Sequence, residues 1–288
     1  MDAIVVGVDA SEAAAHALRW AADEAGSAGA RLVVVHAYRP PLAYVGDEDV
    51  VAHLDPALHE EVLGHLHEFL RRSGVDLSPL HVEERLHPGR PSDGLLAASA
   101  AADLLVVGAR GGGGFDGLHL GSTAGHCARH ASVPVVVVRP PAPSSPARIL
   151  VGVDGSSAAI HALRWATDLA RRRGATIEVV GVYRPHDPEV PFGGEFPWHR
   201  ASDTHRRLRD RAQGHVDEAV MTVLEESDVA WHTTVAQGHP AHLLVEESRM
   251  AQLLVVGATS GPARPGHLGA VTRQVLHHAG CPVAVVRS

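Results

Sequence analysis

Apolar residues in the first half of the chain fall into short runs at positions 4–8, 32–37, 104–107 and 135–138, with a weaker run at 80–82. Runs this short and this rich in valine predict strands covered on both faces. Helical spacing fills the gaps between them. Ser11 is expected to cap a helix with Ala14, Leu18, Ala21 and Ala25 on one stripe, and Asp55-Pro56 to start a second with Leu58, Val62, Leu66, Phe69 and Leu70 at helical spacing. Ser92 is expected to cap a short third helix bearing Leu95, Leu96 and Ser99, and Ser122 to begin a fourth that ends before Pro134. Strands alternating with helices predict an α/β, doubly wound, five-stranded parallel sheet with four helices.

The pattern occurs twice. Gly7-Val8-Asp9 recurs as Gly152-Val153-Asp154, and His16-Ala17-Leu18-Arg19-Trp20 as His161-Ala162-Leu163-Arg164-Trp165, each 145 positions on. Leu104-Leu105-Val106-Val107-Gly108 returns 149 positions on as Leu253-Leu254-Val255-Val256-Gly257, so the copies differ slightly in length between these points. The expected organisation is a first domain at 1–140, a proline-rich linker at 141–147 and a second domain at 148–288.

Composition narrows the function. A net charge of −8 opposes non-specific binding to nucleic acid or to an anionic membrane surface. Lysine is absent from the sequence, which excludes Walker-type phosphate binding and Schiff-base chemistry. Cys127 and Cys281 have no paired spacing and read as reduced thiols. The chain opens directly on a strand and carries no apolar run long enough to span a bilayer, so the expected compartment is the cytoplasm.

The most informative stretch runs from Gly108-Ala109-Arg110-Gly111 to Gly121-Ser122-Thr123, joining the fourth strand to the fourth helix. Glycine lets backbone amides approach an anion, the first N–H groups of the helix point at it, and Ser122 and Thr123 add hydroxyl donors. In an open sheet, ligands lie beyond the carboxyl ends of strands where the winding reverses, which would bring Asp9 and Gly108 together. A dinucleotide fingerprint forced onto Gly112, Gly114 and Gly117 falls too late in the loop, and Val137 stands where its ribose-binding acid would be sought.

The spacing Gly108, Gly111, Gly121, Ser122, with Val8-Asp9 closing the first strand and the duplication, resembles the universal stress protein family. The resemblance covers nearly the whole chain. It implies two tandem domains of flavodoxin-like, adenine nucleotide α-hydrolase-like fold that bind ATP with Mg²⁺ and pair through their last strands, with a homodimer as a further expectation. Asp9, beside Gly7 and Val8, would meet the ribose or adenine edge, and the backbone at Ala37 would line the adenine pocket. Gly108, Ala109, Arg110, Gly111, Gly112, Gly113 and Gly114 would wrap the phosphates, and Gly121, Ser122 and Thr123 would hold them at the helix start. An Asp at such a position also forms an Asx-turn or cap, and that reading of Asp9 stays open.

In the second copy the corresponding positions are Gly152, Asp154, Val182, Gly257, Gly261 and Gly269. The pattern departs there: the loop is one residue shorter, Ser260 stands at the second glycine, Ala270 replaces the hydroxyl of Ser122, and Pro262 and Pro265 remove amide donors. Gly261 and Thr272 are the available substitutes. The first copy is therefore expected to bind ATP, and the second to bind weakly or serve a structural role. The expected function is a nucleotide-dependent stress-response switch acting through an unidentified protein partner, not an enzyme. Alternatives are a nucleotide-independent scaffold and a slow ATPase or nucleotide-dependent transferase.

Other features carry less. Gly121-Ser122-Thr123-Ala124-Gly125 mimics a nucleophile elbow but lacks the strand that must directly precede one. His126 and His130 flank Cys127 on one helix, too few ligands for zinc, and His59, His65 and His67 read as the wet flank of theirs. Trp20 and Trp165 read as packing residues, and the aromatic segment 191–198 as a loop that serves as a lid or partner contact.

Overall fold

The computed structural model describes residues 1–39, 56–111, 120–139, 147–184, 198–259 and 266–287. The chain divides into two compact units, Met1–Pro140 and Pro141–Ser288. The linker positions 141–146, the loop residues Gly112, Gly113, Gly114 and Gly261, and positions 191–197 lie outside the described residues.

The first unit runs β1 (Ala3–Val8), α1 (Glu12–Ala28), β2 (Arg31–Tyr38), α2 (Pro56–Ser73), β3 (Val82–Pro88), α3 (Pro91–Ser99), β4 (Leu104–Gly108), α4 (Ser122–His130) and β5 (Val135–Val138). All its strand pairs are parallel, in the order β3-β2-β1-β4-β5. The second unit repeats this with β6 (Arg148–Val153), α5 (Ser157–Arg173), β7 (Thr176–Tyr183), α6 (Trp198–Val223), β8 (Trp231–Gln237), α7 (Pro240–Ser248), β9 (Leu253–Gly257), α8 (Ala270–His278) and β10 (Val283–Val286). Its parallel order is β8-β7-β6-β9-β10. The order 3-2-1-4-5 puts the winding reversal between β1 and β4, whereas the flavodoxin order 2-1-3-4-5 puts it between β1 and β3. The crevice of each unit therefore opens over β1 and β4, or β6 and β9.

Local chemistry accounts for the helices that frame the crevice. The Ser11 hydroxyl accepts from the Ala14 amide at 3.1 Å, and the Ser156 hydroxyl from Ala159 at 3.2 Å. At the far ends, Gly29 and Gly174 adopt left-handed φ values of 64° and 59°, a conformation that lets the amide of the cap turn back to the last helical carbonyls. The expected stripe of Ala14, Leu18, Ala21 and Ala25 is buried against the sheet, and in α2 Val62, Leu66 and Phe69 are buried while Leu58 and Leu70 are half-buried. His59, His65 and His67 are exposed. Trp20 belongs to the core, and Trp198 opens α6. The cap of α3 differs from expectation: Arg90 holds the N-cap position without a side-chain bond and Pro91 begins the helix, leaving Ser92 inside the first turn. Proline's fixed φ supplies the start that a hydroxyl was expected to give.

Both cysteines are buried, and neither forms a disulfide among the described residues. Burial, and secondarily the Asp93 carboxylate, pushes the Cys127 thiol from 9.0 up to about 12. Native protein at pH 8 is expected to resist iodoacetamide at Cys127 and to react only once unfolded; rapid alkylation of the native state would contradict this. The unfolded thiol releases its proton first as pH rises, so this group contributes stability below pH 9.0 that is lost between there and about 12.

Candidate functional site: a crevice at the strand ends of each unit

At the carboxyl end of β1 the chain turns sharply. Ala10 holds φ 64°, and the matching residue of the second unit is Gly155 at φ 81°. Alanine bears a steric cost in this region that glycine escapes. The turn is held by Asp9, whose Oδ1 accepts from the Ser11 amide at 3.2 Å and from the Ser11 hydroxyl at 2.6 Å. Asp154 does the same for Ser156, at 3.1 and 2.6 Å. The Asx-turn reading of Asp9 is thus correct as geometry.

It does not exhaust the residue. A Cβ built on Gly111 would fall 2.4 Å from Asp9 Oδ2, so the second carboxylate oxygen reaches the loop after β4. Asp9 and the loop do come together, at Gly111. Gly108 has a different task. A Cβ there would lie 2.8 Å from the Ala13 carbonyl oxygen, so this glycine lets β4 approach the backbone of α1. Gly7 likewise makes room for Leu95 of α3, whose methyls would sit 2.9 Å from an added Cβ.

The loop is pinched at its base. The Ala109 amide donates to Val138 at 2.8 Å, and the Gly121 amide donates to the Ala109 carbonyl at 2.7 Å. The chain therefore leaves and re-enters the sheet edge at one point, with Gly121 as N-cap of α4 and no side chain capping it. The first intrahelical bond is Gly125 to Gly121 at 3.0 Å, which leaves the amides of Ser122, Thr123 and Ala124 ahead of the hydrogen-bonded turns. Ser122 is exposed and Thr123 half-buried, and Arg110 and Gly111 are exposed beside them. These donors, with the positive end of the helix dipole, form a place for an anion.

On the other side of β1, Ala37 is half-buried at the end of β2. Its neighbour His36 donates through Nδ1 to the Val8 carbonyl at 2.9 Å, fixing the strand end that carries Asp9. Sequence reasoning passed over His36. The parallel register that sets Val8 beside it was the only signal.

The second unit repeats the frame with different chemistry. Ala258 donates to Val286 at 2.8 Å and Gly269 to Ala258 at 2.8 Å, the same pinch. A cavity of about 190 Å³ lies at this crevice, lined among others by Gly152, Val153, Asp154, Val182, Gly257 and Val271. Thr272 does not supply a donor to the crevice: its hydroxyl is buried and donates to the Gly257 carbonyl at 2.8 Å. Gly155 lies under His215 of α6, whose ring would meet an added Cβ at 2.7 Å. Among the described residues, no group of three or more His, Cys, Asp or Glu is placed to hold a metal ion, and no helix is long and apolar enough to cross a membrane. His126 and His130 stack on each other at 4.3 Å.

Comparison with known proteins matches these two units. The model of the universal stress protein family matches residues 1–139 and again 147–287. A universal stress protein of Mycolicibacterium smegmatis is 33% identical over 293 residues, covering 99% of this chain and 96% of the relative. One from Mycobacterium tuberculosis is 32% identical over 303 residues, with 99% and 96% covered. The crystal structure of a universal stress protein from Archaeoglobus fulgidus shares the fold at TM-score 0.63 and 19% identity, covering 99% of this chain and 98% of its own. With the duplicated sheet, the pinched loop after the fourth strand and near full-length relatives in agreement, the chain belongs to the universal stress protein family.

Proposed function

We propose that the first unit binds ATP with Mg²⁺ and that occupancy sets the conformation or partner choice of a nucleotide-dependent stress-response switch. One observation carries the reading: the Gly111 position leaves no room for a Cβ against Asp9, on a loop that returns through Gly121 to the uncapped start of α4. Such a cradle suits phosphate oxygens, while Asp9 and the backbone at Ala37 face the sugar and base side. Mg²⁺ keeps most of its ligands as phosphate oxygens and water, so the site needs few protein ligands for it. Ser122 and Thr123 are the hydroxyls within reach of that role. Hydrolysis is expected to be slow, because the donors favour bound phosphate and Asp9 is already engaged by Ser11. The partner is a protein that reads the occupied state.

The deciding experiment is mass spectrometry of whatever small molecule leaves the purified protein on denaturation, with titration of the emptied protein by ATP and Mg²⁺. ATP or ADP at about one per chain is the expected result. No nucleotide released, and no binding at millimolar ATP, would leave a scaffold of the same fold. Multiple turnover with Mg²⁺ would make the protein an ATPase.

A further inference from the structure

We infer that the crevice of the second unit is a separate binding site for a nucleoside without a phosphate chain, so that the two copies take ligands of different phosphorylation. This rests on the reading that crevices of this fold take nucleotide-like ligands. It departs from that reading in what the second crevice accepts.

The helix facing the ligand is chemically altered. α4 and α8 are both N-capped by glycine, Gly121 and Gly269, so their first turns correspond residue for residue. Ala270 and Val271 then replace the hydroxyls of Ser122 and Thr123. Thr272, where the first unit has Ala124, spends its hydroxyl on the Gly257 carbonyl at 2.8 Å. The turn that offers two hydroxyls to a phosphate in one unit offers apolar side chains in the other, and Val271 lines the cavity.

The cavity itself favours a base and sugar. Its interior is walled by Val153, Val180, Val182, Leu244 and Val256. Leu244 closes in because β6 has Gly152 there, where an added Cβ would lie 3.0 Å from a leucine methyl. Apolar walls suit the faces of a heterocycle, and the Asp154 carboxylate at the same cavity is an acceptor for sugar hydroxyls. The volume of about 190 Å³ falls below the roughly 300–1,000 Å³ of pockets for drug-sized ligands, which suits a nucleoside whose sugar reaches the mouth.

The test uses the full chain with the first site blocked at both ends, by Gly121→Asp for phosphate and by Ala37→Trp, the counterpart of Val182, for the base, titrated with adenosine, AMP and ATP by calorimetry. Adenosine is expected to bind at one site, with ATP at least about tenfold weaker (about 1.4 kcal/mol). Val182→Trp, added at the half-exposed rim, should remove adenosine binding while circular dichroism stays unchanged. Ala270→Ser with Val271→Thr should instead narrow the gap between adenosine and AMP. ATP binding the blocked chain as tightly as adenosine would overturn the inference, as would no adenosine binding at millimolar concentration or adenosine binding that survives Val182→Trp. ATP binding that the unblocked wild type shows beyond the blocked chain reports on the first unit. If that fails while Val182-dependent adenosine binding persists, the first-unit reading falls and this one stands.

Discussion

Gly121→Asp is expected to abolish ATP binding at the first unit while leaving the fold intact or slightly firmer. The position has φ −73° and ψ 157°, which any residue adopts, and an added Cβ would meet its nearest atom, the Ala109 carbonyl oxygen, at 3.4 Å. Asp is also among the best N-cap residues, typically about 1 kcal/mol better than alanine there. Its carboxylate would accept from the very amides that a phosphate needs and stand against the phosphate's own charge. A like-charge contact at about 4 Å and an effective dielectric near 20 costs about 4 kcal/mol, roughly a thousandfold in affinity. Calorimetric titration with ATP and Mg²⁺, paired with a thermal melt, checks both halves of the expectation. Wild-type affinity in a folded Gly121→Asp protein would mean that phosphate does not sit at the start of α4. Gly121→Ala is the control and should keep most of the binding.

Gly108→Val is expected to act the other way, on stability before ligand. Here the obstacle is backbone: an added Cβ would lie 2.8 Å from the Ala13 carbonyl oxygen and 2.9 Å from its carbon, inside α1. Helix backbone cannot swing aside as a side-chain tip does, so α1 must lift from β4. Overpacking of this kind costs about 1–3 kcal/mol, and the two further methyls of valine place the effect at the upper end. Gly257→Val repeats the experiment in the second unit, where the Ala158 carbonyl carbon stands 2.9 Å from the Cβ position. Urea denaturation should show a lower midpoint for each variant, and an unchanged midpoint would mean that these glycines do not set the helix-to-sheet distance. Two kinds of glycine thus share one motif: Gly121 stands at the exposed start of α4, where phosphate is proposed to sit, and Gly108 faces the backbone of α1.

That separation could not be read from the motif. The spacing of Gly108, Gly111 and Gly121 marked all three as phosphate-wrapping, because a residue without Cβ looks the same whether it admits an anion or a helix. Only the position of Ala13 decides for Gly108, and only that of Asp9 for Gly111. His36 was overlooked for a similar reason, since its bond to Val8 depends on the register of two strands joined through α1.

Much else was local and therefore legible. Ser11 and Ser156 cap their helices through atoms three residues away, and the buried stripe of α1 follows from the helical repeat alone. The duplication, the alternation of valine-rich strands with amphipathic helices and the start of α4 at Ser122 depend on order and spacing along the chain, which the sequence carries in full. Which strand lies beside β1, where the loop is pinched shut, and that Thr272 turns to Gly257 instead of toward a ligand depend on contacts between residues distant in sequence. Those contacts exist only once the sheet has assembled, whereas the substitutions that make the two crevices chemically different, Ala270 and Val271 for Ser122 and Thr123, stand in the sequence itself.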